Sequence, residues 1–116
     1  MAYLDIILIK HLISAPETVN TDFTSQVVDI SNRQDAFSVQ VVYNNGNGAV
    51  DMDINLQVSS DGLNFATMAS QNITDDTGSH IFDVEDTGTA YLRITITVNT
   101  GSIDVQDILY KAKRLH

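Results

Sequence analysis

The sequence contains no cysteine and no tryptophan, a single proline, and only six basic residues against fifteen acidic ones. Each shortage excludes something. Without cysteine there is no disulfide framework, no thiolate zinc site and no thiol nucleophile, a composition compatible with synthesis in a reducing cytoplasm. The formal charge of −9 opposes a nucleic-acid partner, because such binders gain most of their affinity by neutralising phosphates with Lys and Arg. Aromatic residues make up only 7% of the chain, so few rings are free to stack on a ligand.

What is present points to sheet. The apolar residues are mainly Val and Ile, which with Thr form a β-branched population suited to pleated, half-buried surfaces. Thirteen of the fifteen acids are Asp, a residue of turns and strand ends rather than helix interiors. At 116 residues a chain buries roughly 65% of its unfolded surface, enough for one hydrophobic core. We therefore expect a single domain over residues 1–116, with an N-terminal strand or arm and loop at 1–24 and the body of the fold at 25–113.

The most hydrophobic run, YLDIILIKHLI at residues 3–13, is about half of the ~20 residues that span a bilayer and includes Asp5, Lys10 and His11. It also lacks the cationic start and small-residue cleavage site of a signal peptide. No membrane partner is expected. Its apolar residues fall on both faces, as in a strand covered on two sides or lying in a subunit contact, with a short helix as the alternative.

Period-2 alternation is clear in DMDINLQV (51–58), YLRITITV (91–98) and FSVQVVY (37–43), each with one apolar and one polar face. Weaker strands are expected at 25–30, 64–69, 80–84 and 102–112. In the last, the apolar set slips from Ile103 and Val105 to Ile108 and Tyr110, which predicts a bulge near Gln106 and Asp107. NNGNG (44–48), SSDG (59–62) and NTG (99–101) supply residues tolerant of positive φ and read as turns between strands. Seven or eight short strands punctuated this way describe an all-β, antiparallel two-sheet β-sandwich, of immunoglobulin-like or jelly-roll kind, with jelly roll the favoured form. Pro16 falls in the loop after the first strand.

The tripeptide Asp-Thr-Gly, which carries the catalytic carboxylate of aspartic proteases, occurs at 76–78 and again at 86–88. Protease chemistry needs two carboxylates about 3 Å apart sharing a proton. These two bracket a short strand and lie roughly 20 to 30 Å apart at strand rise. The residues before them, Asp75 and Glu85, are not the apolar strand such a loop follows. Both read as hairpin ends in which the Asp caps its own backbone. His11, His80 and His116 share no metal-ligand spacing, and no Ser occupies a nucleophile elbow. The acids around Asp83 and Glu85 lack the spacing of a calcium loop. We expect no enzyme, no metal and no cofactor. Asn72-Ile73-Thr74 matches a glycosylation acceptor, which carries no weight without export. Tyr91 is the one aromatic that alternation places on an outer face, hence the candidate for stacking on a sugar ring.

The C-terminal YKAKRLH gathers Lys111, Lys113 and Arg114, half of all the basic residues. Such charges protect an exposed edge strand from aggregation, or form a docking patch for an acidic neighbour. The order VVDISN, FSVQVV, a Gly-rich turn, VSSDGLNF, HIFDV and AYLRITITVNTGSIDVQDILYKAK resembles a recurrent family of small tailed-bacteriophage virion proteins. The likeness spans about residues 25–113, and Phe65 stands where that family often has Trp. It implies a jelly-roll or sandwich protein that decorates the outside of capsids, commonly as a trimer, made in the host cytoplasm and resident on the capsid surface. The implied partners are copies of itself and the major capsid protein. Tyr3, Leu4, Ile6 and Leu8 of the N-terminal run and Lys111, Lys113 and Arg114 are then the expected contacts. The alternative is a carbohydrate- or receptor-binding sandwich of a head or tail fibre, with Tyr91 in its site.

Overall fold

The computed structural model describes the backbone of residues 4–30, 36–85 and 89–115, and the side chains of 9–30, 36–85 and 89–113. Among these the protein is all-β, with antiparallel strands β1 (Leu4–His11), β2 (Glu17–Val19), β3 (Phe23–Thr24), β4 (Val28–Asp29), β5 (Ala36–Ser59), β6 (Ala66–Ile73), β7 (Gly78–Glu85) and β8 (Tyr91–Leu115).

Two of these strands are far longer than one sheet needs. β5 has 24 residues and β8 has 25, and they pair antiparallel from Ala36↔Lys113 to Ser59↔Tyr91. The ribbon bends midway, so its two halves belong to two layers. In the first sheet the second half of β8 is flanked by β1, and the first half of β5 by β7. In the second sheet the first half of β8 is flanked by β3 and β4, and the second half of β5 by β6. Short β2 pairs with β8 at the bend. Counting β2 to β4 as one run and each half of β5 and β8 as another gives eight runs. Their spatial orders, 1-8-3-6 and 2-7-4-5, are those of a jelly roll, a double sheet of two Greek keys.

Alternation explains which side faces in. Phe37, Val39, Val41 and Tyr43 point to the core from the first half of β5, and Val50, Met52, Ile54 and Leu56 from the second half. On β8 the inward set is Leu92, Ile94 and Ile96, then Ile103 and Val105, then Ile108, Tyr110 and Ala112. All belong to one hydrophobic cluster. The phase changes require extra residues. One is Gln106, skipped where Val42 pairs with Asp107 and Tyr43 with Val105, which is the bulge that the slipping apolar pattern predicts.

The other phase change corrects the sequence reading. NNGNG and NTG are not turns between separate strands but the corner of the ribbon, where the ladder shifts between Asn44 and Asp51. Asn45, Gly48, Ala49 and Gly101 take positive φ there. The same backbone conformations serve a hairpin or a bend, and long-range pairing chooses between them. Asp104 holds the corner: its carboxylate accepts hydrogen bonds from Asn45 Nδ2 at 2.9 Å and Thr18 Oγ1 at 2.8 Å, which lower its pKa.

The expected strand at 25–30 is reduced to β4, because Ser25 interrupts the edge. Its buried Oγ accepts the Ile94 N–H at 2.9 Å, taking the place of a strand carbonyl. At the N terminus β1 is a strand, not a helix, and pairs along β8 from Leu4↔Leu115 to His11↔Leu109.

Candidate functional site

The first Asp-Thr-Gly performs a structural task. The Gly46 N–H donates to the Asp76 carbonyl at 2.9 Å, and the Asp76 backbone lies so close to Gly46 that a side chain there has no room. Two residues on, Gly78 makes space for the Tyr43 hydroxyl, 3.0 Å from where a Cβ would stand. Burial, and secondarily the charge of Asp75, raise the Tyr43 pKa. The motif therefore closes the β6–β7 connection over the ribbon corner. β6 and β7 pair with opposite halves of β5 and not with each other, so it is a crossover between sheets rather than the hairpin end expected. The second copy, 86–88, lies outside the described residues.

No three acidic or imidazole side chains among the described residues converge as a metal cluster. His80 packs edge-on against Phe82, with centroids 4.5 Å apart. His11 Nδ1 lies 2.9 Å from Asp107 Oδ1 and links edge strand β1 to β8, beside an open depression lined also by Pro16, Gln26 and Gln106. Asn72 Nδ2 donates to both Asp51 and Asp53 and to the Met52 carbonyl, so the amide of the apparent glycosylation acceptor is engaged within the sheet.

The outward faces of the two sheets differ in chemistry. On the first, every strand carries an apolar residue at an outward position: Ile9 on β1, Leu109 on β8, Val42 on β5 and Ile81 on β7, alternating with the inward residues. Ile9 is 52% exposed and Ile81 55%. Lys111 and Lys113 share this face, and Lys113 Nζ reaches Asp83 Oδ1 across β5 at 3.4 Å. Of the expected contacts, Leu4, Ile6 and Leu8 lie on β1 opposite Leu115, Lys113 and Ala112. Their side chains and that of Arg114, together with Tyr3, lie outside the described residues. The end of the same N-terminal run is core, since Leu12 is fully buried and Ile13 nearly so; an arm deleted to residue 13 removes part of the fold.

The second sheet presents Asp51, Asp53, Asn55 and Gln57 from β5, Arg93, Thr95 and Thr97 from β8, and Thr67, Ser70 and Asn72 from β6, cross-linked by side-chain hydrogen bonds. At one end the Arg93 guanidinium lies 4.0 Å over the Phe65 ring, and its Nε donates to Gln57 Oε1 at 2.8 Å. Tyr91, on the same side and two residues earlier, rests against Gly62, 3.3 Å from a Cβ position there. Its site is a supported ring, not a free one.

The loop between β5 and β6 carries Leu63, 84% exposed. Asp61 holds it. Its Oδ1 accepts from the Leu63 and Asn64 N–H groups, both at 2.8 Å, and from Ser59 Oγ at 2.9 Å, while Oδ2 accepts from Asn64 Nδ2 at 2.7 Å. These bonds, those from Asn64 foremost, hold the Asp61 carboxyl far below the usual carboxylate range. A depressed carboxylate contributes order above its unfolded pKa and loses it as pH falls through its folded pKa. The loop should therefore keep its amide protection at about pH 3.5, where ordinary Asp side chains near pKa ~3.9 are mostly protonated. In Asp61→Ala, hydrogen exchange at Leu63 and Asn64 should run at the unprotected rate at every pH while the sheets stay protected. Unchanged exchange would show that the carboxylate does not hold the loop.

No protein-family model matches the chain, and no curated protein matches it. Among solved structures it is similar to TmCBM61, a carbohydrate-binding module in complex with β-1,4-galactotriose, at 13% identity over 94% of this chain and 85% of that one, with a TM-score of 0.39. A likeness of that size decides nothing, and the fold stands on the strand pairings alone.

Proposed function

We propose that the protein is a structural subunit that associates with copies of itself and decorates a virion capsid, as the sequence resemblance implies, using the outer face of its first sheet as the contact surface. The observation that carries this reading is the outward apolar set Ile9, Leu109, Val42 and Ile81, one on each strand of that sheet. A solvated sheet face alternates to polar residues, as β5 and β8 do on the second sheet. Fully burying a side chain of this size contributes up to about 1.5–3 kcal/mol, so covering the set favours association. Lys111 and Lys113 on the same face favour a neighbour as acidic as this chain. The purified protein mixed with undecorated capsids should sediment with them, and Ile9→Glu/Ile81→Glu protein should stay in the supernatant with its β-sheet spectrum unchanged. Wild-type protein that ignores the capsids would overturn the decoration role.

A second reading, a carbohydrate-binding module, is supported by a separate observation: the Arg93, Phe65 and Tyr91 grouping at the end of the opposite face.

A further inference from the structure

We infer that this end of the second sheet takes a saccharide bearing one carboxylate, with Arg93 receiving the acid group; the inference rests on the carbohydrate-binding reading and names its ligand class. Arg93 is the starting point. The chain has fifteen acids, yet among the described residues Arg93 is in no ion pair. Its guanidinium is held against the Phe65 ring and its Nε is engaged by Gln57 Oε1, while no acid of the described residues pairs with its terminal nitrogens. Arginine held in this way matches a carboxylate with two parallel hydrogen bonds, and the entropy of ordering the side chain has already been lost in folding.

The surroundings select a polyhydroxylated ligand. Thr95 and Thr97 Oγ1 each accept a hydrogen bond from Asn55 Nδ2 at 3.2 Å, and Thr67 Oγ1 accepts one from Gln57 Nε2 at 3.2 Å. A hydroxyl that accepts from within the protein keeps its own hydrogen to donate outward. The face thus offers donors in a row, Arg93, Thr95 and Thr97, at strand intervals of about 7 Å for alternate residues. Ring and hydroxyl oxygens of a saccharide are acceptors at comparable density. Tyr91, backed by Gly62, supplies a ring beside Arg93.

The charge gradient along the face fixes the ligand's direction. Thr97 lies opposite Asp53 and Thr100 opposite Asp51, so the far end carries two carboxylates. A second acid group on the ligand is repelled there, whereas neutral sugar hydroxyls donate to those oxygens. The site therefore discriminates a single terminal uronic acid followed by neutral sugars from a polyuronide.

The test uses the intact protein and an oligosaccharide of one glucuronic acid on three neutral sugars, its carboxyl-reduced counterpart, and a short acidic peptide, each titrated by amide NMR. The acidic saccharide should shift Tyr91, Arg93 and Thr95. Reduction of its carboxyl, or Arg93→Lys, should weaken binding about tenfold or more, since lysine lacks the planar fork. Arg93→Lys keeps the charge and the sheet, and its unperturbed spectrum elsewhere reports an intact fold. Equal binding of the acid and reduced forms would overturn the carboxylate assignment and leave the carbohydrate reading standing. No binding of either would overturn both, and binding of the peptide alone would replace the saccharide with a protein partner.

Discussion

Tyr110→Ala should lower stability by about 3–5 kcal/mol, as large-to-small aromatic substitutions in cores do. Tyr110 is fully buried at the centre of the first sheet, its ring stacked on Phe37 with centroids 5.8 Å apart and planes at 23°. It pairs with Val39, so its removal opens a cavity where β8 and β5 share the core. A domain of this size is stable by about 6–17 kcal/mol in total, at 0.05–0.15 kcal/mol per residue. The melting temperature should accordingly fall by on the order of 10–20 °C. Thermal and urea unfolding followed by circular dichroism measure it. A loss below about 1 kcal/mol, under the range for buried aromatics, would mean that the ring is not packed as described.

Gly101→Ala should cost about 2–4 kcal/mol, a sum of left-handed backbone strain and steric conflict. Gly101 has φ +83°, and a Cβ there would come 2.8 Å from the Asn47 carbonyl oxygen, 3.0 Å from that of Gly48 and 3.0 Å from Val50 Cα. All three are backbone atoms of the opposite strand, so relief requires the corner itself to open. Gly48 is the control. Its φ is +78°, but the one atom near its Cβ position is Gly101 Cα at 3.4 Å. Gly48→Ala should thus cost only the conformational term, about 1–2 kcal/mol. Equal losses for the two variants would refute the claim that the strands touch at the bend.

Much of the fold was legible in the residues. Alternation in 37–43, 51–58 and 91–98 located the core faces, and the slip from Val105 to Ile108 located the bulge at Gln106. The eight expected strands correspond to the eight runs of the roll, though β2 and β3, at three and two residues, are too short to show periodicity. The continuity of β5 and β8 was hidden because Asn and Gly announce a positive φ without saying whether the chain reverses or only bends. Ladder pairing between residues about fifty to sixty apart in sequence decides that, and no local signal encodes it.

The candidate surfaces were legible in part. Lys111 and Lys113 stood out by charge, and they do share a face with the outward apolar set. That set had a signal of its own in the doublets Val41-Val42, Ile81-Phe82 and Ile108-Leu109, where a second apolar residue breaks an otherwise polar outer face. Arg93 carried none. Its significance comes from the cross-strand neighbours Gln57 and Phe65 and from the absence of an acid beside it among the described residues.

The assembly account is tested most directly by the solution mass of the wild-type protein and of Ile9→Glu/Ile81→Glu, measured by light scattering after size exclusion. Association through the first sheet gives a wild-type oligomer, a trimer at three times 12.7 kDa, and a folded monomer for the variant. A wild-type protein that remains a 12.7 kDa monomer, or a variant that assembles as the wild type does, would contradict it.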